Sequence, residues 1–474
     1  MIDPRQRNIA LLVAGCFFME NLDGTIVTTA APRIGRALHV PATSVGLVIA
    51  AYLVTLAVFI PLSGWMTARW GARLVFLSAI VIFTLSSLAC ALSANLGELV
   101  ALRVVQGIGG AMMVPVGRLV VLSRTAKSDL LRVMSMLVWP ALIAPVIAPL
   151  AGGLIVTYTS WRWLFAINVP LGLIAFAVAW RLIESLQSAV GTSLDYPGVL
   201  LTCGGLGAAT YAAHLLSESH VPWPAAIGFA VAAVGLLVAA WRHLLLAEHP
   251  LVNLRTLRVP TFAAAVGGGS LFWTTIAAVP FLLTLLFQDV FGWSPIKSGA
   301  VVLFVFVGNV TIKPATTPLL RRFGFRTVLV AATSGAAATM VVAGLFTPDT
   351  PLILIVVIAL LNGIGRSVGL TCYSTIGFSE MPAELLRDAN TLQATAQQLS
   401  VGLGVPLAAV ALRAGGPLGR LLPGSVGPGS AYTVAFVLLA AVALIATARA
   451  LRLHPDAGSQ VTKRSSPERP AVPG

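Results

Sequence analysis

CFFMENLDGTIVTTAAP, residues 16–32, lies inside the first long apolar run of the chain, yet it carries Glu20 and Asp23. A charge near the centre of a bilayer costs roughly 2.5–3.5 kcal/mol on insertion scales. Carboxylates three residues apart share one face of a helix. A span built from Leu, Val and Ala has no need of such a face unless it looks into a water-filled path, where the carboxylates take up and release protons. The alternative is that one of them is a buried, paired structural carboxylate.

Composition fixes the surroundings of this stretch. The chain is 57% hydrophobic and 10% charged, with a mean hydropathy of +0.92. Soluble domains carry about 25% charged residues. The composition therefore implies a multi-spanning all-α membrane protein. The net charge of +14 has no soluble basic domain to carry it, which argues against nucleic acid as a partner and places the charge in short loops. Cys16, Cys90, Cys203 and Cys372 all lie in apolar runs without a CxxC, as small hydrophobes rather than metal ligands. Arg5 and Arg7 precede an apolar run as in a signal peptide, but the run is long and acidic, which predicts a retained first span.

Runs of about 20 apolar residues predict fourteen spans. If the N-terminus is cytoplasmic, one set of loops and ends carries 20 of the Lys and Arg residues and the other set only Arg33, Arg36, Arg162, Lys297, Arg413 and Arg420. This bias predicts both termini on the cytoplasmic side. The chain also repeats itself. ARWGARLVFLSA (68–79) resembles RRFGFRTVLVAA (321–332), an offset of 253, and QGIGGA (106–111) resembles NGIGRS (362–367), an offset of 256. Arg132 and Arg387 open the spans that follow, at an offset of 255. The expected organisation is a six-helix bundle over 1–190, two inserted helices over 191–256, a second, pseudo-symmetric bundle over 257–453, and a disordered cytoplasmic tail over 454–474.

The motifs in order are LDGTIVTTAAP in span 1, GWMTARWGARLVF between spans 2 and 3, RVVQGIGGA in span 4, APLAGG in span 5 and SWRWLFAINVPLG entering span 6. Together they resemble the fourteen-span drug:proton antiporter branch of the major facilitator superfamily, over about residues 9–450. Ala68 stands where the family usually has Asp, Thr28 where it has Asn, and Ala148 where it has Gly. The resemblance implies a proton-coupled exporter of drugs or other toxic small molecules, working by alternating access in a bacterial inner membrane. It implies no cofactor beyond the proton gradient and no enzymatic step. Protons, a small-molecule substrate and the lipid bilayer are the expected partners of a monomer.

Arg103 in span 4 is the natural partner of Asp23: along helices rising about 1.5 Å per residue, the two depths differ by about 5 Å. With Glu20 they form the expected proton-coupling set. Arg118, Lys313 and Arg366 are further basic residues at membrane depth, and with Gln106, Asn362 and Gln397 they are the expected lining of the substrate cavity; Arg118 and Lys313 alternatively snorkel to the surface. Gly64 and Gly71 permit a tight turn, Arg69 and Arg73 bind helix-end carbonyls or lipid phosphate or fix topology, and Pro145, Pro149, Gly152 and Gly153 bend and pack span 5. The excess of intramembrane bases over acids raises a rival, export of an organic anion or metabolite; a non-transporting membrane sensor or scaffold is a further one. There is no P-loop, QGIGGAM lacks the last glycine of a dinucleotide fingerprint, and the histidines show no metal spacing.

Overall fold

An apolar chain in a bilayer must satisfy its backbone internally, and among the described residues every regular element is helical. The computed structural model describes residues 4–184, 193–218, 221–419 and 429–462. The helices are α1 (Pro4–Ala37), α2 (Gly46–Phe59), α3 (Leu62–Trp70), α4 (Ala72–Leu92), α5 (Leu96–Leu122), α6 (Leu130–Tyr158), α7 (Trp163–Ala166), α8 (Asn168–Leu182), α9 (Tyr196–Ser217), α10 (Trp223–Leu246), α11 (Pro260–Leu285), α12 (Pro295–Thr311), α13 (Lys313–Gly344), α14 (Leu352–Ser379), α15 (Leu386–Gly402), α16 (Gly404–Gly419), α17 (Ser430–Leu451) and α18 (Ser459–Thr462).

Among the described residues, eleven helical segments are long and apolar enough to cross a membrane, and α2 with α3, bent by 59° at Ile60–Pro61, makes a twelfth. Pro61 has no N–H to continue the ladder, which accounts for the break. The 29-residue α6 is a thirteenth crossing. The fourteenth comes from dividing α13 at Gly324, whose φ of 74° is non-helical. The residues before it complete the span begun by α12, and those after it form the next. The fourteen-span architecture is thus present, with two spans broken in ways the apolar runs do not reveal.

The internal repeat survives as packing. Gly71 (φ 81°) and Gly324 (φ 74°) end their helices in the same left-handed region, 253 residues apart. Side chains rarely adopt that conformation. In the first half α5 packs on α4 through Gly109, where a Cβ would lie 3.0 Å from the Ala79 carbonyl; in the second, α14 packs on α13 through Gly365, where a Cβ would lie 3.0 Å from the Ala332 carbonyl. Gln106 Nε2 donates to Ser87 Oγ at 2.7 Å, and Asn362 Nδ2 donates to Thr339 Oγ1 at 2.9 Å. The donors are repeat mates, and the acceptors lie within one residue of equivalence on the partner helix.

The halves meet at the arginine-rich end. Asn390 on α15 donates through Nδ2 to the Pro115 carbonyl of α5 at 2.8 Å, and Lys127 Nζ donates to Gln460 Oε1 at 3.2 Å. A Cβ at Gly64 would come within 2.7 Å of Thr391 Oγ1, so this glycine lets α3 and α15 touch. The inserted helix α9 packs on α10, on α2 of the first half and on α16 of the second. The first boundary expected near residue 190 and the tail from 463 lie outside the described residues. Residues 454–462, expected to be disordered, are instead packed: Ala457 is 8% exposed and Val461 0%.

Candidate functional site

The acidic stretch sits on α1 in contact with α5 and α8. Asp23 is 1% exposed and Arg103 0%. Arg103 Nη1 donates to Asp23 Oδ2 at 2.5 Å. Gln106 Nε2 and Asn168 Nδ2 donate to Asp23 Oδ1 at 3.0 and 2.8 Å. Arg103 Nη1 also donates to Gln106 Oε1 at 2.8 Å, and Arg103 Nε to the Val48 carbonyl at 3.4 Å. The Tyr52 ring lies under the guanidinium, 4.0 Å from centroid to Cζ, and the Phe165 ring is 5.7 Å away. Six helices, α1, α2, α4, α5, α7 and α8, thus converge on one carboxylate, its cation and their partners. A buried charge needs this degree of pairing to be tolerated.

The sequence pairs Asp23 with Arg103, and the structure does so. It also places Gln106 inside this network and Asn362 in its bond to Thr339, beside a small apolar cavity that both residues of that bond line. Asn168 and Tyr52 were not singled out from the sequence. Asn168 lies within the quoted SWRWLFAINVPLG motif, a lone amide entering an apolar helix, and that was the available signal. Tyr52 carried none, because an aromatic residue in a span reads as packing.

Glu20, one turn from Asp23, is half-buried and has no hydrogen-bond or ion-pair partner among the described residues. Its Cγ lies 3.8 Å from where a Gly110 Cβ would be. Arg118 is 7% exposed, stands over the Phe17 ring at 5.6 Å, leaves Nη1 unpartnered and is within electrostatic reach of Glu20. The two carboxylates are therefore in different states: Asp23 is saturated and Glu20 is open.

The second half carries bases in place of these acids. Arg366 falls at the repeat position of Gly110 and Ile276 at that of Glu20, each at an offset of 256. Arg366 Nη1 donates to the Ile276 carbonyl at 3.1 Å, its Cζ lies 5.3 Å from the Phe306 centroid, and its Nε is unpartnered. Lys313 is 8% exposed with its Nζ donating to Thr371 Oγ1 at 2.7 Å. Neither base has a carboxylate partner among the described residues. On α15 the amide oxygens of Asn390, Gln393 and Gln397 are all buried without donors. Asn390 touches the first half, whereas Gln393 lies within the second, its Nε2 donating to the Tyr373 carbonyl at 3.5 Å.

The loop motif also takes shape. Arg73 Nη2 donates to the Trp180 carbonyl in the last turn of α8 at 3.0 Å, and its guanidinium covers the Trp180 ring at 5.2 Å. Arg69 is exposed. In α6 a Cβ at Gly153 would meet nothing within 4 Å, so Gly153 is not a packing glycine, while Gly152 is buried. The side chains of Pro145 and Pro149 lie outside the described residues. No group of three or more metal-ligating side chains occurs among the described residues.

Comparison with known proteins gives this arrangement its family. The chain is 35% identical over 403 residues to a protein of Pectobacterium atrosepticum, covering 85% of this chain and 86% of that one. It is 34% identical over 405 residues to one of Salmonella paratyphi A, covering 85% of each. Both bear, provisionally, the name multidrug resistance protein MdtD. Two solved structures share the fold at 15% identity: the human organic anion transporter MFSD10, TM-score 0.64 over 94% of this chain and 100% of that one, and the proton:xylose symporter XylE, TM-score 0.62 over 94% of each. The family model of the Major Facilitator Superfamily matches residues 13–405, and the chain belongs to that family of membrane transporters.

Proposed function

We propose that the protein is a proton-coupled exporter of drugs or other toxic small molecules in a bacterial inner membrane, with both termini cytoplasmic. The observation that carries this is the pair of unlike carboxylates on α1, with Asp23 locked to Arg103 and Glu20 left open. A proton arriving at Asp23 turns one carboxylate oxygen from acceptor to donor and removes the charge that holds Arg103. Arg103 then keeps only Gln106 Oε1 and the Val48 carbonyl, and the charge-assisted tie between α1 and α5 is lost, while the bonds from Gln106 and Asn168 to Asp23 Oδ1 remain. Glu20 takes the proton onward toward the arginine-rich end. Under the proposed orientation the conformer described is closed to the cytoplasm, as its contacts at that end support. Rocking of the 1–190 and 257–453 bundles about the seam between them completes alternating access.

The relatives' name supports drugs as the substrate class. The bases Arg366 and Lys313, lacking carboxylate partners, favour a second reading, export of an organic anion. One experiment separates them. Inverted vesicles containing the protein are energised to an acidic interior, and collapse of the pH gradient is followed on adding lipophilic cations, neutral antibiotics or small carboxylates. Collapse by cations or neutral drugs that is lost in Asp23→Asn bears out the first reading. Collapse by carboxylates alone, lost in Arg366→Ala, establishes the second. Collapse that survives Asp23→Asn removes that residue from coupling.

A further inference from the structure

The two halves repeat one another, but they finish one corner differently. At the arginine-rich end of the first half, α1 begins, α5 ends and α8 ends together. Arg5 pairs with Glu184 at 2.5 Å and Arg124 with the same carboxylate at 3.4 Å. Arg5 Nη2 also donates to the Leu182 carbonyl at 3.4 Å, and Gln6 Nε2 donates to the Arg124 carbonyl. The corner is closed by its own charges.

In the second half the same corner is formed by the start of α11 and the ends of α14 and α17. At an offset of 256, Thr261 stands for Arg5 and Glu380 for Arg124. The outgoing helix carries Arg449 and Arg452 where the first half supplies the acid Glu184. The corner holds a cavity of about 380 Å³, walled by Thr261, Glu380, Arg449, Arg452 and Asp456. Glu380 is anchored: Thr261 Oγ1 donates to its Oε2 at 3.2 Å and the Gly458 N–H to its Oε1 at 3.0 Å. Neither arginine has a hydrogen-bond or carboxylate partner among the described residues, and both are exposed. The Arg449 guanidinium does not simply extend into water. It lies on the backbone of Gly267, where a Cβ would come within 2.2 Å of Nη1. Gly267 is two helical turns inside the start of α11. A side-chain-free backbone therefore seats an unpaired cation at the depth where the membrane surface meets hydrocarbon.

Two guanidiniums lining one cavity, neither within ion-pair distance of its carboxylates Glu380 and Asp456, match a phosphate, which accepts paired N–H donors. A carboxylate already oriented beside them matches an ammonium. Every wall is a helix end or the adjoining tail, so the cavity opens at the headgroup level of the bilayer. We propose that this corner binds the headgroup of a membrane phospholipid, its phosphodiester on Arg449 and Arg452 and, in an ethanolamine headgroup, its ammonium on Glu380. The bound headgroup does for the second half what Glu184 does for the first. Because Gly458 leads into α18, which touches α6 and α13, the lipid also secures the tail that bridges the halves.

The test is native mass spectrometry of the full-length protein in detergent, titrated with phosphatidylethanolamine, with phosphatidylglycerol, and with soluble glycerophosphoethanolamine. The wild type retains phosphatidylethanolamine, and Arg449→Ala/Arg452→Ala weakens this by about tenfold or more, as loss of charge-assisted bonds requires. Arg255→Ala/Arg258→Ala, at the same membrane face, leaves binding unchanged. Glu380→Gln reduces the preference for phosphatidylethanolamine over phosphatidylglycerol. If the alanine pair does not purify as a folded protein, Arg449→Lys/Arg452→Lys keeps the charge without the paired donors and must bind less tightly than wild type. Binding of glycerophosphoethanolamine as tight as that of the lipid upholds the phosphate site and assigns it to a soluble ligand. Equal lipid retention by wild type and the 449/452 variants overturns the proposal.

Discussion

Asp23 accepts three hydrogen bonds in a site closed to water, while Glu20, one turn away, accepts none. The two carboxylates should therefore respond differently to substitution. Arg103→Ala leaves Asp23 buried without its cation, and breaking a buried pair in this way costs about 3–5 kcal/mol. The variant should melt well below wild type in detergent. Asp23→Asn with Arg103→Gln removes both charges and should recover much of that loss while leaving pH-driven transport abolished. Recovery of stability without recovery of transport, read from thermal melts and from vesicle assays of the same preparations, separates holding the fold from coupling. Glu20→Gln should leave the melting temperature within a degree or two, roughly 0.5 kcal/mol, because no partner is lost. What the sequence disclosed at this scale was charge in the wrong solvent: Glu20, Asp23, Arg103 and Arg366 stand out because an apolar span has no ordinary use for them. What it concealed were the neutral partners. Asn168, Ser87 and Tyr52 acquire their roles only when three helices distant in sequence bring them to Asp23, Gln106 and Arg103 in turn.

Helix contacts in a bilayer have little hydrophobic drive and depend on close approach. The two halves offer a matched comparison. A Cβ at Gly363 would lie 1.8 Å from the Val305 carbonyl, whereas one at Gly107, its repeat mate, would first meet the Thr55 side chain at 2.8 Å. Neither the Val305 carbonyl nor the Thr55 Cβ moves by side-chain rotation, so the helices must part in both cases, and the overlap at Gly363 is deeper by an ångström. Gly363→Ala should therefore destabilise by several times as much as Gly107→Ala, with overpacking costs of about 1–3 kcal/mol at the milder site. Parallel melting curves of the two variants check this, and equal shifts would contradict the packing. The inserted pair is fixed differently, by polar groups at its ends. Arg413 donates to the Leu216 and Glu218 carbonyls at 2.8 and 2.7 Å at one end. At the other end Asp195 caps α9 through the Gly198 N–H at 2.9 Å, meets His243 Nε2 at 2.6 Å and accepts from the Leu251 N–H at 3.0 Å. Burial alone would raise the Asp195 pKa, but the Gly198, His243 and Leu251 interactions outweigh it and hold the carboxyl below its ordinary value. A depressed native pKa stabilises above the unfolded value, near pH 4, and the contribution drains away as pH falls through the lower native value. Wild type should lose stability over that acid range, and Asp195→Asn should be less stable at neutral pH and show a flatter profile there. The spans themselves were legible as runs of apolar residues, and the repeat as paired Gly and Arg motifs. Apolar runs alone show neither the bend at Pro61, which the proline itself signals, nor the run-on of α12 into α13, because hydropathy does not report a helix's course.

At the scale of the molecule, closure of the arginine-rich end depends on a segment that composition marked as tail. Leu453, Ala457 and Val461 are buried, an apolar stripe set by turns as well as by α18 on a short polar stretch. Gly458 turns the chain with φ 72°, and a Cβ there would lie 2.7 Å from the Phe325 ring. From this turn α18 reaches α13 of the second half and α6 of the first, and Gln460 takes the hydrogen bond from Lys127. A pattern three residues deep was too short to be read from the sequence as an element. Its burial comes from the surface already built by α6 and α13. Since the stripe contacts both halves, it stabilises the conformer in which they meet and not the one in which they separate. Gly458→Val both strains the left-handed turn and strikes Phe325, and should release the segment without removing it. Loss of buried Val461 alone is worth about 1.5–3 kcal/mol, enough to change the ratio of closed to open conformers by about tenfold or more. Spin labels at the exposed positions 69 and 321, one on each half, would read this as a longer-distance population growing in Gly458→Val and growing further on truncation after Leu453. An unchanged distance distribution in both variants would mean that closure rests on the direct helix contacts between the halves, α15 with α2, α3 and α5 and α6 with α12, α13 and α14, in which case Asn390→Ala, which removes the bond to Pro115, becomes the next substitution to test for opening this end.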